Sequence, residues 1–179
     1  MELTARIAAT DNQIHYAEKS AILSGWYDNF GTLILRTCYL YLGSRSDAED
    51  ALQETLIKAW RHIDQYAARN NCSEKSWLMR IAVNTCRDML RTSWSRHIDH
   101  AVDLDGLPEM QAAPDGDREL LMDVMALPAK YKEVILLYYY HGMTNKEIAY
   151  TLRSSEASVC RRRLKACQML KQQIGSDDT

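Results

Sequence analysis

The stretch SEKSWLMRIAVNTCRDMLRTSWSR, residues 73–96, separates into two faces when it is placed on a helix. One face carries apolar and small residues at helical spacing, which predicts that it is buried: Leu78, Ile81, Ala82, Thr85 and Met89. The other face carries polar residues spaced four, three and four apart: Arg80, Asn84, Arg87 and Arg91. Trp77 extends this second stripe by one turn and Trp94 by another. The pattern predicts an amphipathic helix with a basic outer face.

The outer face of this helix has the side chains that single-stranded DNA requires. Arginines can neutralise phosphates, a tryptophan ring can stack on a base, and the Asn84 amide can read a base edge. An ordinary interpretation stays open for two of them, because Asn84 could be a solvated surface residue and Trp77 could belong to the core. The set nevertheless favours Trp77, Arg80, Asn84, Arg87 and Arg91 as a DNA-binding face.

The preceding helix, predicted over residues 46–66, has the opposite charge. Ser46 and Glu49 form a candidate capping box at its start. Its predicted buried stripe consists of Ala48, Leu52, Leu56, Ala59, Trp60 and Ile63. Its other side shows Asp47, Asp50, Gln53 and Glu54. Such an acidic side suits a basic protein surface better than DNA, which would repel it, although a merely solvated face is equally compatible with the pattern.

The C-terminal part predicts a helix-turn-helix. In TNKEIAYTL, Thr144 and Glu147 form a capping box that starts a short helix. After a brief turn, Ser155 can cap a longer helix, whose apolar residues recur at helical spacing: Val159, Ala166, Leu170 and Ile174. A helix of this kind can enter the major groove.

The exposed side of that longer helix supplies Ser158, Arg161, Arg162 and Lys165. These side chains can donate hydrogen bonds to phosphates and to guanine edges. The alternative is a solvated basic face on a core helix. The preceding turn favours DNA binding, as does the local charge, because residues 120–171 hold nine basic and four acidic side chains.

Residues 97–117 separate the two halves. They hold two of the three prolines and six acidic side chains without a sustained apolar period, which is typical of a linker. We therefore predict an all-α protein with two small helical domains joined by a flexible acidic linker, the C-terminal domain containing the helix-turn-helix. The predicted division is an N-terminal extension at 1–19, a domain at 20–96, the linker at 97–117 and a domain at 118–174.

The remaining composition argues against several other classes of protein. No apolar run is long enough for a membrane span and the N-terminus lacks the layout of a signal peptide, so we expect a cytoplasmic protein. The five cysteines form no CxxC pair and are expected to be reduced. A metal-dependent helical enzyme would need His and carboxylate pairs on facing helices, whereas His62 has no such partner and His97 and His100 lie in the predicted linker. Neither a Gly-rich phosphate loop nor a nucleophile elbow is visible. We expect no enzymatic activity, no cofactor and no small-molecule substrate.

Three stretches resemble, in order and spacing, the two domains of extracytoplasmic-function sigma factors of bacterial RNA polymerase: DAEDALQETLIKAW, WLMRIAVNTCRDMLR and LPAKYKEVILLYYYHGMTNKEIAYTL. The resemblance covers residues 20–173. It implies a sigma-2-like domain at 20–96, which docks on core polymerase and recognises and melts the minus-10 element. It also implies a sigma-4-like domain at 118–174, which recognises the minus-35 element.

The resemblance also implies roles for the individual faces. Asp47, Asp50, Gln53 and Glu54 would dock on the coiled coil of the beta-prime subunit, and Asn84 would lie near a flipped-out base of the minus-10 element. The implied partners are core RNA polymerase, through its beta-prime and beta subunits, and promoter DNA. Whether an anti-sigma protein restrains the chain is left open. The principal alternative is a helix-turn-helix regulator that binds duplex DNA alone, but this would leave the basic face of 77–91 without a purpose.

Overall fold

The computed structural model describes residues 2–69, 72–92 and 115–174, and these residues are almost entirely helical. In chain order the helices are α1 (Glu2–Leu42), α2 (Arg45–Arg69), α3 (Glu74–Thr92), α4 (Asp115–Ala126), α5 (Ala129–Ile135), a π-helical turn (Leu136–Tyr140), α6 (Asn145–Leu152) and α7 (Glu156–Ile174). None of the described residues lies in a β-strand. The predicted all-α class is confirmed.

The start of α2 differs from the prediction. The helix begins at Arg45, and the Ser44 hydroxyl accepts a hydrogen bond from the Asp47 backbone N–H at 3.3 Å. Ser44 therefore caps the helix, and the predicted capping box of Ser46 and Glu49 is wrong. Glu49 pairs instead with Arg45, one turn earlier, at 3.0 Å. Both serines precede an acidic residue by three positions, so the sequence pattern alone fits either start.

Helix α1 runs without a break through the segment predicted as a separate extension. Its early part is fastened to α2 by the Tyr16 ring, which meets the Trp60 ring edge-on at 5.0 Å between centroids. One turn later, Lys19 Nζ lies 2.6 Å from the Asp64 carboxylate. Since Tyr16 covers Trp60, this part of α1 protects an apolar ring that would otherwise be more exposed.

The predicted linker ends earlier than expected. Residues 93–114, and Trp94 with them, lie outside the described residues, but α4 already begins at Asp115. The prediction that 115–117 belong to the linker is therefore wrong. Asp115 and Asp117 fall within the first turn of α4.

The chain reverses after α5 through the π-helical turn. The His141 backbone N–H donates to the Leu136 carbonyl at 3.1 Å, one residue further back than in an α-helix. Gly142 follows with φ of +60°, a conformation that favours glycine. The turn directs the three consecutive tyrosines differently, since Tyr138 packs against the core whereas Tyr139 and Tyr140 are exposed.

The N-terminal and C-terminal halves pack directly on each other. The larger apolar cluster joins residues from α1, α2 and α3 with residues from the C-terminal half, among them Val134, Leu137, Ile148 and Leu152. A smaller cluster also crosses the boundary, because Leu40 of α1 packs with Leu121, Ile135 and Leu170. The main contact pairs α3 with α6. Residues of both predicted domains, 20–96 and 118–174, therefore share one apolar cluster, and the division between them stays a prediction.

Candidate functional site

Arg80, Asn84 and Arg87 are half-buried on α3 and Arg91 is exposed, and the C-terminal half contacts part of this face. The Arg80 guanidinium lies 4.6 Å from the centre of the Tyr150 ring of α6. Arg87 pairs with Glu133 of α5, and Arg91 pairs with Asp88 on its own helix. Asn84 is half-buried and lines an open cavity of about 430 Å³ together with Arg87, Asp88, Leu90 and Arg91.

Trp77 lies at the edge of an aromatic cluster. Its ring centroid is 5.3 Å from that of Trp26 on α1 and 4.9 Å from that of Tyr66 on α2. Trp26 is buried, and Trp77 is half-buried against the main core. The structure therefore places Trp77 in the packing between α1, α2 and α3, which matches the core alternative for this residue.

The pair of Arg87 and Glu133 is bidentate. Arg87 Nε donates to Glu133 Oε1 at 3.0 Å, and a terminal guanidinium nitrogen donates to Oε2 at 2.7 Å. Glu133 is 8% exposed. Burial lowers the pKa of Arg87, but the hydrogen bonds and charge of Glu133 outweigh it and raise the pKa. The buried Tyr41 hydroxyl lies beside this pair, and burial, followed by the Glu133 charge, raises the pKa of Tyr41 well above its usual value.

A second polar contact between the halves centres on His141. Its Nε2 lies 2.9 Å from the Thr37 hydroxyl of α1, which itself donates to the Leu33 carbonyl at 2.8 Å. The single hydrogen of that hydroxyl is used on the Leu33 carbonyl, so in this arrangement Nε2 is the donor, as it can be in a neutral or a protonated imidazole. Burial, followed by the charges of Lys75 and Arg36, lowers the pKa of His141 to about 4. Lys75 donates a hydrogen bond to the His141 carbonyl.

The start of α6 contacts the start of α3. Glu147 completes the predicted capping box with Thr144, which is confirmed: the Thr144 hydroxyl accepts from the Glu147 backbone N–H at 3.3 Å, and Glu147 accepts from the Thr144 backbone N–H at 2.9 Å. The same carboxylate also accepts hydrogen bonds from Ser73 and Ser76, each at 3.2 Å. The bond to the Thr144 backbone is the main cause of a lowered pKa for Glu147, and the two serines contribute to it.

The basic face of α7 is open. Arg161 and Lys165 are exposed, and Ser158 and Arg162 are half-buried. Ser155 caps the helix as predicted, since its hydroxyl accepts from the Ser158 backbone N–H at 3.2 Å. Helices α6 and α7 are joined by three residues, of which Arg153 has a left-handed conformation with φ of 51°. Arg163 does not belong to this face, and its guanidinium lies 4.1 Å from the centre of the Tyr138 ring.

The acidic face of α2 is also accessible. Asp50 and Gln53 are exposed, whereas Asp47 and Glu54 are half-buried. Glu54 forms a 3.5 Å ion pair with Lys58 on the same helix. Ile57 continues this face by one turn and is 44% exposed. An accessible acidic face with an apolar residue at its end can dock on a basic protein surface.

The described residues contain no group of His, Cys, Asp and Glu side chains that could hold a metal ion. Within the same ranges no helix is long and apolar enough to cross a membrane. All five cysteines are free thiols. Two of them are buried, and a hydrogen bond with Cys38, with burial as the next cause, raises the pKa of Cys86 strongly, so this thiol stays protonated.

Two family models match this chain: Sigma-70 region 2 over residues 26–96 and Sigma-70 region 4 over residues 118–170. The ECF RNA polymerase sigma factor SigL of Mycobacterium tuberculosis is 30% identical over 168 residues, which are 89% of this chain and 94% of SigL. The chain belongs to the ECF sigma factors. This sigma factor is also 26% identical to the RNA polymerase sigma factor SigV of Bacillus subtilis over 143 residues, covering 80% of this chain and 85% of SigV.

Solved structures show the same fold. CnrH in complex with the cytosolic domain of CnrY has a TM-score of 0.68 at 22% identity and covers 88% of this sigma factor and 90% of CnrH. The sigma factor RpoE of Bartonella quintana, solved with the anti-sigma factor NepR, has a TM-score of 0.62 at 20% identity, covering 84% and 98% of the two chains. Family membership establishes that this protein directs promoter-specific transcription with core RNA polymerase and promoter DNA as partners.

The sequence gives no sign of the contacts that join the two halves. Glu133 on α5 and His141 in the turn after the π-helical turn belong to no motif, and only Glu147 is marked by a pattern, as a cap. No spacing rule connects them with Arg87, Thr37 or Ser76, because the paired residues are separated by 46 to 104 positions. Their proximity depends on how the helices pack.

Proposed function

We propose that three faces of this sigma factor divide the work of initiation. The α2 face, Asp47, Asp50, Gln53 and Glu54, docks on the beta-prime subunit of core polymerase. The α3 face, Arg80, Asn84, Arg87 and Arg91 with Trp77 at its edge, recognises and helps to melt the minus-10 element. The α7 face, Ser158, Arg161, Arg162 and Lys165, binds the minus-35 element. The division into a sigma-2-like unit at 20–96 and a sigma-4-like unit at 118–174 is part of this proposal.

The observation that carries the proposal is the distribution of charge over accessible helix faces. Acidic and amide side chains are exposed on α2, where DNA would be repelled, and arginines lie on α3 and α7. The match of α3 to Sigma-70 region 2 and of α7 to region 4 supports assigning them to different promoter elements. Duplex readout suits α7, because a helix with exposed cations near its start fits the major groove.

Strand opening is assigned to α3 because of Asn84. Its amide lines the open cavity together with Arg87 and Arg91, so that a base entering the cavity could meet both a hydrogen-bonding group and cations for its phosphate. Unstacking a base costs a few kcal/mol, which these contacts would offset. We assign no catalytic role to any residue, since nucleotide polymerisation belongs to the core enzyme, and we place the protein in the cytoplasm with that enzyme.

An anti-sigma protein is a further proposed partner. The Bartonella RpoE was solved with the anti-sigma factor NepR, and CnrH was solved with the cytosolic domain of CnrY; both share the fold of this chain. A partner of this kind would act by covering one of the three faces.

The division of labour is tested by in vitro transcription with sigma-free core polymerase on a genomic promoter library. RNA starts that depend on the protein and share two upstream elements define the promoter. On that promoter, we expect Asn84→Ala to reduce strand opening, followed by permanganate reactivity, more than it reduces duplex binding. Gln65→Ala, an exposed amide on α2, is the matched control.

The other two faces give different expected defects. Arg161→Ala or Arg162→Ala should weaken promoter affinity, whereas Lys171→Ala, which removes an exposed cation elsewhere on α7, should not. Asp50→Ala should weaken binding to core polymerase relative to Asp28→Ala on α1. Equal defects of the Asn84 and Arg161 variants in opening and affinity would contradict the assignment. Unchanged core activity, together with specific retention of duplex fragments by the protein alone, would favour a stand-alone regulator.

A further inference from the structure

The early part of α1 contacts α2 beside the acidic face of that helix. The Tyr16 ring meets the Trp60 ring at 5.0 Å between centroids, and Lys19 Nζ lies 2.6 Å from the Asp64 carboxylate. Tyr16 and Lys19 precede the residues that match Sigma-70 region 2, which begin at position 26. The family match therefore assigns no role to this part of α1.

Helical spacing places Trp60 next to the proposed docking face. Four residues of α2 are spaced four, three and four apart and so form one stripe along the helix: Gln53, Ile57, Trp60 and Asp64. Gln53 is exposed, Ile57 is 44% exposed and Trp60 is half-buried. The face that begins with acidic and amide side chains thus continues into apolar ones.

Tyr16 adds a large side chain to this apolar stretch. Its ring lies edge-on against Trp60, and yet 65% of Tyr16 is exposed. Tyrosine and tryptophan are enriched among the few residues that dominate the binding energy of protein interfaces, because each buries a large area and also carries a polar group. An exposed aromatic pair at the edge of a docking face is therefore suited to contact the same partner.

The charge differs between the two ends of this face. Asp50 is exposed at the first end. At the second end the Asp64 carboxylate is paired with Lys19, and the exposed Arg61 follows Ile57 by one turn. The second end therefore suits an apolar group of a partner better than a basic one, since no net negative charge attracts a cation there.

We propose that Tyr16, Ile57 and Trp60 form an apolar end of the α2 docking face, and that this end receives an apolar side chain of the core-polymerase surface whose basic side chains meet Asp50. The inference rests on the proposed docking role of α2 and extends it to α1. Lys19 is a positioning residue, because its ion pair with Asp64 holds this part of α1 against α2.

The apolar end is tested by the affinity of the full chain for sigma-free core polymerase, measured by competition with a fluorescently labelled natural chain. Tyr16→Ala should weaken binding by roughly five- to thirty-fold, the usual range for truncating an important interface residue. Ile57→Ala should weaken binding as well. Tyr27→Ala is the matched control and should bind normally, because Tyr27 is an α1 tyrosine of 54% exposure whose ring lies against Gly31 of its own helix.

Radical footprinting distinguishes direct contact of Tyr16 with the polymerase from support of Trp60 alone. Oxidation of Tyr16 by hydroxyl radicals should fall when core polymerase is added to the natural chain, while oxidation of Tyr27 stays constant. Helicity by circular dichroism shows whether each variant folds. If Tyr16→Ala loosens α1, Tyr16→Phe keeps the ring against Trp60 and should bind more tightly than Tyr16→Ala.

Natural affinity in both Tyr16→Ala and Ile57→Ala would overturn the inference. So would Tyr16 oxidation that core polymerase leaves unchanged, or a Tyr16→Phe variant that binds as weakly as Tyr16→Ala. The docking role of the acidic residues is tested separately. Weak binding by Asp50→Ala together with normal binding by Tyr16→Ala would contradict the apolar end alone. Weak binding by Tyr16→Ala together with normal binding by Asp50→Ala would contradict the proposed role of the acidic residues alone.

Discussion

The α3 face and the α7 face have similar composition and different surroundings. Each face carries at least two arginines and one hydrogen-bonding polar residue, and each belongs to a helix with an amphipathic sequence. On α7, Arg161 and Lys165 are exposed. On α3, Arg87 is held by a nearly buried carboxylate and Arg80 by an aromatic ring. The comparison teaches that an arginine stripe predicts a binding face but not which ligand occupies it.

The largest expected difference between the two faces is in the stability lost when an apolar side chain beside each of them is removed. Ile148→Ala, beneath the contact between α6 and α3, removes a side chain with 0% exposure and should lower the free energy of unfolding by about 2 to 5 kcal/mol, because a cavity remains. Leu164→Ala on the open side of α7, where the side chain is 57% exposed, should change it by less than about 0.5 kcal/mol. Urea unfolding measures both. Similar losses would show that α6 is not packed on α3.

Removing Arg87 of α3 should likewise lower stability more than removing Arg161 of α7. Arg87→Ala leaves the Glu133 carboxylate nearly buried without its partner and should cost about 1 to 3 kcal/mol of stability. Arg161→Ala removes an exposed charge and should change stability by less than about 0.5 kcal/mol while it weakens promoter binding. Denaturant unfolding of both variants at one ionic strength makes the comparison. Equal stability of the two variants would mean that the pair with Glu133 contributes nothing.

The contact between the two halves contains His141, so the stability of the chain should depend on pH. The pKa of His141 is lowered to about 4 in the folded chain from 6.5, so the unfolded chain binds the proton more readily. The stability due to the neutral imidazole is therefore complete above pH 6.5 and is lost as the pH falls toward 4. Between pH 7.5 and pH 5 the loss should be about 2 kcal/mol.

The control for this pH dependence is His141→Gln, whose neutral amide can still meet the Thr37 hydroxyl. Its free energy of unfolding should fall less than that of the natural chain over the same interval, because it lacks the titrating group. Identical pH profiles for the two proteins would assign the loss of stability to carboxylates instead of His141.

Among the variants that remove a contact, the loss of the α7 helix cap should have the smallest effect on stability. Ser155→Ala removes the hydroxyl that caps α7 and should lower stability by about 1 kcal/mol. Because the cap lies beside the α7 face, duplex binding should weaken when it is removed. Oxidation of Tyr150 by hydroxyl radicals should not change, because this ring lies under Arg80 at the contact between α6 and α3. Thermal unfolding and footprinting check the two parts. A rise in Tyr150 oxidation would show that the start of α7 also contributes to the internal contact.

Much of the fold follows from local patterns in the sequence. The capping box of Thr144 and Glu147 and the cap at Ser155 are found where capping chemistry places them. Of the stripe predicted for α3, Leu78, Ala82 and Thr85 are buried, whereas Ile81 and Met89 are only half-buried. The two wrong predictions, the cap of α2 and the start of α4, also come from the interpretation of neighbouring residues. Ser44 and Ser46 offer two competing caps, and acidic residues at 115–117 look like linker in the sequence but form the first turn of α4.

The all-α class, the three charged helix faces and the family follow from the amino-acid sequence, because helical period, capping residues and motif order are properties of neighbouring positions. The packing of the helices sets which faces are accessible, since the C-terminal half contacts Arg80 and Arg87 of α3 but leaves α2 and α7 open. Arg87 meets Glu133, and Thr37 meets His141, across 46 and 104 positions of chain. No local pattern encodes such pairs, since they depend on the burial of apolar residues from both halves in one continuous core.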